Sequence, residues 1–260
     1  MLAEPRRLAI VEMLRAAGAV TVADIEARFG VSSMTARRDL AELERQGAAR
    51  RTHGGAVLPA FSGNEDSFGQ RVERDAEAKA AIAELAVGRV AAGETIFLDS
   101  SSTTFFLARR ILESGVAVTV LTNSLPVLNL ASTYAGANVD VLAIGGSLRG
   151  LTQSFVGPHA VQMVKAHFAD HLFLSCKGVS RTGILTDADP LEAELKRVMI
   201  AQAAASTVLL DGTKLSERGL NAIAPLSDVT DVLTYGVAER DLAVLRSTGV
   251  QVASAAGGGR

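Results

Sequence analysis

Apolar positions recur first at helical spacing and later in short strand-like runs, and the change of pattern divides the chain. Leu8, Val11, Met13 and Leu14 fall near a 3.6-residue repeat, which predicts a helix opened by Pro5 and closed by Gly18. Thr21-Val-Ala-Asp24 then offers a hydroxyl cap with an acidic residue three positions on, so a second, short helix starts there, buries Ile25 and Phe29, and stops at Gly30. Ser32 caps a third helix. At about 100° per residue, Ala36, Leu40 and Leu43 gather on one side of it, while Ser33, Met34, Arg37, Arg38 and Ala41 point away. Three short helices so spaced predict a helix-turn-helix, and Gly54-Gly55 fits the turn of a hairpin after it.

Residues 58 to 67 mix turn formers with charge and show no period, which places a linker over 58–74. An Ala-rich helix follows from about Asp75, carrying Lys79, Ile82, Leu85 and Val90. From Thr95 apolar runs alternate with helical stretches: Ile96–Leu98, Val118–Leu121, Val139–Ile144, Leu172–Leu174, Val208–Leu210 and Val232–Thr234. Such runs suit strands buried on both faces of a parallel sheet. The fold class is therefore α/β: a winged helix-turn-helix over 1–57, and a larger, Rossmann-like, mostly parallel α/β domain over 75–253. Residues 254–260 read as a frayed tail.

Composition changes this picture little: 48% hydrophobic and 21% charged residues in 260 suit a globular chain of two domains. One cysteine, Cys176, excludes an intrachain disulfide, and four scattered histidines give no zinc pattern. No stretch is apolar enough for a signal core or a membrane span, so a cytoplasmic location and no membrane partner are expected. Charge matters more once it is located. Residues 1–57 hold nine arginines against seven acids, a balance of +2, whereas the remaining 17 basic and 21 acidic residues give −4. The sign favours nucleic acid at the N-terminus.

The candidate chemistry follows from position. A recognition helix presents its N-terminal residues to base edges, and arginine suits bidentate contact with guanine, so Arg37 and Arg38 lead. Ser33 and Thr35 add hydroxyls, and Met34 shares their face. Arg45, Arg50, Arg51 and His53 carry positive charge into the hairpin, where a wing would grip phosphates of double-stranded DNA. The plain alternative is that the adjacent arginines pair with Asp39 and Glu42 on a solvated face. In the larger domain, ligands bind at the carboxyl ends of parallel strands. There stand Asp99-Ser-Ser101-Ser102-Thr103-Thr104, Thr122-Asn123-Ser124, Gly145-Gly146, Lys177-Gly178 and Asp211-Gly-Thr-Lys214. Asp99–Thr104 precede a helix whose N-terminus suits an anion, although plain helix capping accounts for them equally.

Two sets of residues resemble the DeoR family of bacterial transcriptional regulators. The first is Val31-Ser-Ser-Met-Thr-Ala-Arg-Arg-Asp-Leu-Ala-Glu-Leu-Glu-Arg-Gln-Gly47 with Arg51-Thr-His-Gly-Gly-Ala56; the second is Asp99–Thr104, Thr122-Asn-Ser-Leu125, Gly145-Gly-Ser-Leu-Arg149, Lys177-Gly-Val-Ser180 and Glu192–Ile200. Arg71 and Lys79 also stand at the family's usual positions, though both can equally be solvated helix charges. Ala36 replaces the usual β-branched residue, and Ser101 a common glycine. The resemblance implies an effector domain similar to ribose-5-phosphate isomerase and a phosphorylated sugar or polyol as ligand. By it, Ser102, Thr103 and Thr104 hold the phosphate, and Lys177 and Lys214 line the pocket.

A paired recognition helix implies a homodimer or homotetramer. The alternative is a sugar-phosphate isomerase with an accessory DNA-binding segment, which would need a carboxylate base beside the sugar. Asp170, Asp187, Glu192 and Glu194 are available, but Glu192, Glu194, Lys196 and Arg197 share a helix on which i,i+4 pairing at a solvated surface is the simpler account. No nucleophile elbow, Walker A run or dinucleotide fingerprint occurs. His167 and His171 lack the glutamate of a zinc protease, and Cys176 ends an apolar strand, where a buried, inert thiol is expected. No catalytic residue, metal or cofactor is assigned.

Overall fold

The computed structural model describes residues 3–17, 19–45, 48–52, 54–57, 65–134 and 138–255. They form two compact units, Met1–Asp66 with Arg149–Leu151, and Ser67–Leu148 with Thr152–Arg260. The first contains α1 (Ala3–Ala17), β1 (Ala19–Thr21), α2 (Val22–Phe29), α3 (Ser33–Arg45), β2 (Arg50–Thr52) and β3 (Gly55–Val57). Thr21 and Asp24 cap α2 reciprocally, with Asp24 N donating to Thr21 Oγ1 at 3.1 Å and Thr21 N to Asp24 Oδ2 at 2.9 Å. Gly30 ends that helix in the left-handed region at φ 63°. Ile10, Leu14, Val20, Ile25, Ala36, Leu40, Leu43, Ala49 and Ala56 make the core, with Phe29 packed against it.

Two details of this unit depart from the sequence reading. Leu8 is exposed, because Ile10 and Leu14, four residues apart, define the buried stripe of α1 and Leu8 lies across the helix from both. In the hairpin Thr52 pairs with Gly55, so of the two expected turn glycines only Gly54 lies in the turn and Gly55 already belongs to β3. Gly55 is required there for a different reason: a Cβ on it would lie 2.0 Å from Val20 O of β1. The proposed stop at Gly18 and the wing residue His53 lie outside the described residues, as do 58–64 and 256–260.

In the larger unit the segment read as linker contains α4 (Phe68–Glu73). Ser67 and Gln70 form its capping box, and Phe68 is buried edge-on against Phe105 with ring centroids 5.5 Å apart. Then come α5 (Ala76–Val87), β4 (Thr95–Leu98), α6 (Ser102–Ser114), β5 (Val118–Thr122), α7 (Leu125–Thr133) and β6 (Val139–Ala143). A short ribbon, β7 (Ser147–Arg149) and β8 (Ser154–Val156), leads to α8 (Pro158–Lys165) and β9 (Ala169–Leu174). The chain finishes with β10 (Gly178–Val179), β11 (Ile184–Asp187), α9 (Pro190–Ala201), β12 (Ala203–Asp211), β13 (Asn221–Pro225), β14 (Asp231–Tyr235), α10 (Glu239–Ser247) and β15 (Gln251–Ala255).

Seven strands form one parallel sheet in the order β15-β14-β12-β9-β4-β5-β6. Alternate residues serve opposite faces: Phe97, Leu172, Leu174 and Val208 enter one core with α8 and α9 residues, while Ile96, Leu98, Phe173 and Leu209 enter the other with α5 and α6 residues. Continuous apolar runs are the consequence. The six expected strands are present. A seventh, β15, takes in Ser254 and Ala255 of the expected tail, and its Gln-Val-Ala-Ser-Ala sequence has too little apolar content to announce a strand. β6 is an edge strand with Asp140, Leu142 and Ala143 exposed, so it is not buried on both faces as the sequence suggested. The antiparallel set β10-β11-β13 was not foreseen.

Candidate functional site

On α3 the face opposite the core presents Ser33, Met34, Arg37 and Arg38 to solvent, with Thr35 half-buried beside its Ser32 cap. Neither arginine pairs with Asp39 or Glu42. Asp39 is buried, and its carboxylate receives Arg6 Nε at 2.6 Å and Arg7 Nε at 3.1 Å from α1. Glu42 receives Arg45 Nε at 3.0 Å. Among the described residues Arg37 and Arg38 therefore have no ion-pair partner. Two of the cations assigned to the wing are less free: Arg45 is engaged as described, and exposed Arg51 lies 3.9 Å from Glu44 and donates its backbone N–H to that carboxylate at 2.9 Å. Arg50 supplies the backbone of β2.

The strand-end loops of the parallel sheet gather on one edge, and most of their side chains are buried. Asp99 is the hub. Its Oδ1 accepts from Ser101 N at 3.0 Å and lies 2.8 Å from Thr104 Oγ1, while its Oδ2 accepts from Ser175 N at 3.1 Å. Ser101 caps α6 by accepting from Thr104 N at 3.2 Å. Ser101 and Thr104 thus do the capping that the sequence left open. Ser102 and Thr103, also buried, have no side-chain hydrogen-bond partner among the described residues and stand at the α6 N-terminus. Thr122 Oγ1 accepts from Ser124 N at 3.1 Å. Asn123 donates its amide to Phe155 O at 3.0 Å, and its buried Oδ1 has no partner among the described residues.

The remaining expected residues divide. Lys177 Nζ lies 2.8 Å from Glu217 Oε2, and a Cβ on Gly178 would meet Glu217 O at 1.9 Å, so both hold the segment around Glu217. Lys214 makes no ion pair among the described residues, in a 3-10 turn capped by Asp211. Gly145 and Gly146 follow β6; a Cβ on Gly146 would lie 2.6 Å from Val156 O. Lys79 is not a solvated charge: it is buried and donates from Nζ to Arg71 O at 2.8 Å and to Arg74 O, across the α4–α5 junction.

Sequence reasoning missed the charges at the centre. Glu192 and Lys196 are only 3% and 6% exposed, correcting the expectation of a solvated i,i+4 pair. Lys196 Nζ donates to Asp187 Oδ2 at 2.7 Å and to Ser175 O at 3.0 Å, and lies 3.3 Å from Asp99 Oδ2. Glu192 accepts from Ser100 Oγ at 3.1 Å and from Ser154 Oγ. Burial opposes the charge on Lys196, but Asp187, Asp99 and Glu192 outweigh it and push its pKa up. Burial likewise works against Asp187, and Lys196 holds that carboxyl below its usual range. The signal was present in the sequence: positions 192 and 196 share a helical face with Leu195 and Met199, an apolar face on which charges need internal partners.

Several other features are structural. His171 Nε2 is 2.7 Å from Thr207 Oγ1, which donates to Asp231 at 2.6 Å, and its ring stacks on Phe173. His167 is half-buried and its Nδ1 lies 2.7 Å from Met163 O. Cys176 is buried, which pushes its thiol up to about 12. A surface cleft of about 690 Å³ between β10, β13 and α10 includes none of the strand-end residues discussed above. No described helix is long and apolar enough to cross a membrane.

A helix-turn-helix with a wing, joined in one chain to a parallel α/β unit, defines a DNA-binding regulator with a sensor domain. The DeoR-like helix-turn-helix domain matches residues 6–60, and the DeoR C terminal sensor domain matches 74–235. The chain belongs to the DeoR family of transcriptional regulators. It is 34% identical to the HTH-type transcriptional regulator GlpR of Haloferax volcanii over 93% of each chain. It is also 34% identical to the putative aga operon transcriptional repressor of Escherichia coli O157:H7, over 95% of this chain and 92% of that one. Among solved structures, ribose 5-phosphate isomerase A from Methanocaldococcus jannaschii overlaps 54% of this chain and 55% of its own, with 20% identity and a TM-score of 0.39.

Proposed function

We propose that the protein is a cytoplasmic repressor of carbohydrate-metabolism genes whose hold on operator DNA is set by a phosphorylated sugar or polyol. The observation that carries the DNA half is the distribution of ion pairs on α3. Asp39 is occupied by Arg6 and Arg7, Glu42 by Arg45 and Glu44 by Arg51, which leaves Arg37 and Arg38 exposed beside Ser33, Met34 and Thr35. Cations without internal partners are available to guanine edges, and Arg50, Arg51 and His53 of the wing supply contacts to phosphate.

In the sensor unit the ligand's phosphate would sit at the α6 N-terminus, where Ser102 and Thr103 offer hydroxyls that no other described residue uses and Lys214 offers charge. Its hydroxyls would meet the polar strand ends, Asn123 Oδ1 among them. Asp99, Ser101, Thr104 and Thr122 hold the loops, and Gly145, Gly146, Lys177 and Gly178 fix the rim. Two-fold operators require a homodimer or homotetramer.

Fluorescence anisotropy on duplex DNA from upstream of the gene tests this. Nanomolar, salt-sensitive binding that a sugar phosphate shifts by tenfold or so supports it, about the size of an ordinary coupling free energy. Binding equally tight to random DNA, or no response to any sugar phosphate, refutes it.

A further inference from the structure

Met34 is 73% exposed in the first turn of α3, among the most exposed large apolar side chains described. It does not serve the core, which Ala36, Leu40 and Leu43 supply from the other side of the same helix. Arg37 and Arg38 stand three and four positions on, so all three side chains share one face, with the thioether nearest the helix N-terminus.

The surroundings make this apolar choice informative. At the N-terminal turn of a helix entering the major groove, a side chain meets base edges. Most of those edges carry donors and acceptors, which an unbranched apolar chain would desolvate without replacing their hydrogen bonds. One group there is apolar: the C5-methyl of thymine. The adjacent guanidiniums are best satisfied by guanine O6 and N7.

We infer that Met34 is a specificity-determining residue that packs on a thymine methyl next to the bases read by Arg37 and Arg38. The inference rests on α3 being the recognition helix and goes beyond that reading by naming a base and an atom. Half-sites should then contain an obligatory thymine beside guanine. Because the recognised group is the methyl, deoxyuridine, which keeps every polar atom of thymine, should be a poor substitute.

The full chain is used to select binding sites from a random duplex pool, and each thymine of the resulting half-site is replaced singly by deoxyuridine. One position should weaken binding about fourfold per half-site, the value of one buried methyl-sized group. Met34→Ala should weaken binding to the thymine duplex by a similar factor and abolish the thymine–deoxyuridine difference, whereas Met34→Leu should retain it. Circular dichroism and melting should be unchanged in both variants, since the side chain is exposed. Equal affinity for thymine and deoxyuridine at every position, or discrimination that persists in Met34→Ala, overturns the assignment to Met34 and leaves the DNA-binding reading intact. Failure to enrich any sequence overturns both.

Discussion

Replacing Asp39 with alanine should unfold or loosen the N-terminal unit while leaving the larger unit in place. The carboxylate is buried and holds two arginines of α1, at 2.6 and 3.1 Å, so it fixes α3 against α1. Its removal takes from Arg6, itself 7% exposed, the carboxylate that accepts from its Nε. Breaking a buried pair from one side costs about 3–5 kcal/mol. A unit spanning Met1–Asp66 is stabilised by roughly 3–10 kcal/mol at 0.05–0.15 kcal/mol per residue, so the loss is comparable to the whole. Asp39→Asn, which keeps the shape and one acceptor, should cost less. Hydrogen exchange read peptide by peptide should show protection lost across α1 and α3 and retained in β4, β9 and β12, and DNA affinity should fall in the order wild type, Asn, Ala. Unchanged protection in α3 together with wild-type DNA binding in Asp39→Ala would refute the claim that this ion pair positions the recognition helix.

Three further outcomes follow from the sensor unit. Lys196→Met leaves Asp187 and Asp99 buried without their ammonium and should lower the stability of that unit by about 3–5 kcal/mol in urea titrations. Because Lys196 holds the Asp187 pKa down, the wild-type pair is fully stabilising above the unfolded carboxyl pKa and weakens as pH falls through the folded one; in Lys196→Met the sign should reverse, with acid partly restoring stability. Burial pushes His171 below its ordinary value against the pull of Asp231, so its contribution is present above about pH 6.5 and is lost as pH falls through the lower folded value. His171→Gln should flatten the stability–pH curve in that window, and an unchanged slope would discount the residue. The Cys176 thiol, pushed up to about 12, should resist iodoacetamide at pH 8 in the native protein and react once urea unfolds it.

What the sequence disclosed and what it concealed have separate causes. Helices α2 and α3 were legible because Thr21, Asp24, Gly30 and Ser32 are local signals whose partners lie within a few residues. The parallel strands were legible because a run buried on both faces must be apolar throughout, as Ile96, Phe97 and Leu98 are. β6 and β15 obey the opposite condition: as edges they need less apolar content, so one was overrated and the other missed. Asp99 was visible from its place after a strand. Its partners Ser175 and Lys196 lie 76 and 97 positions further on, and no local pattern connects them. Gly55 was read as a turn residue and Gly178 as a ligand-loop residue, but what they avoid is the backbone of Val20 and of Glu217, which only the fold brings near.

In both units the structural charges differ from the proposed ligand-facing ones in their pairing. A buried or engaged ion that already has its counter-ion gains little from an incoming ligand and would lose a good partner by turning to it. Asp39 with Arg6 and Arg7, Lys196 with Asp187, and Lys177 with Glu217 are in that position. Arg37, Arg38 and Lys214 are not: among the described residues none of them makes an ion pair. On α3 the acids that sequence proximity offered to Arg37 and Arg38 are drawn away by arginines 33 and 32 positions earlier and by Arg45. Restoring a local acid would therefore be as harmful to DNA binding as removing a cation. Ala41→Glu places a carboxylate four and three positions after Arg37 and Arg38, within helical pairing distance of both. It should weaken operator binding without destabilising α3, and stronger binding in that variant would show that these two arginines do not face DNA.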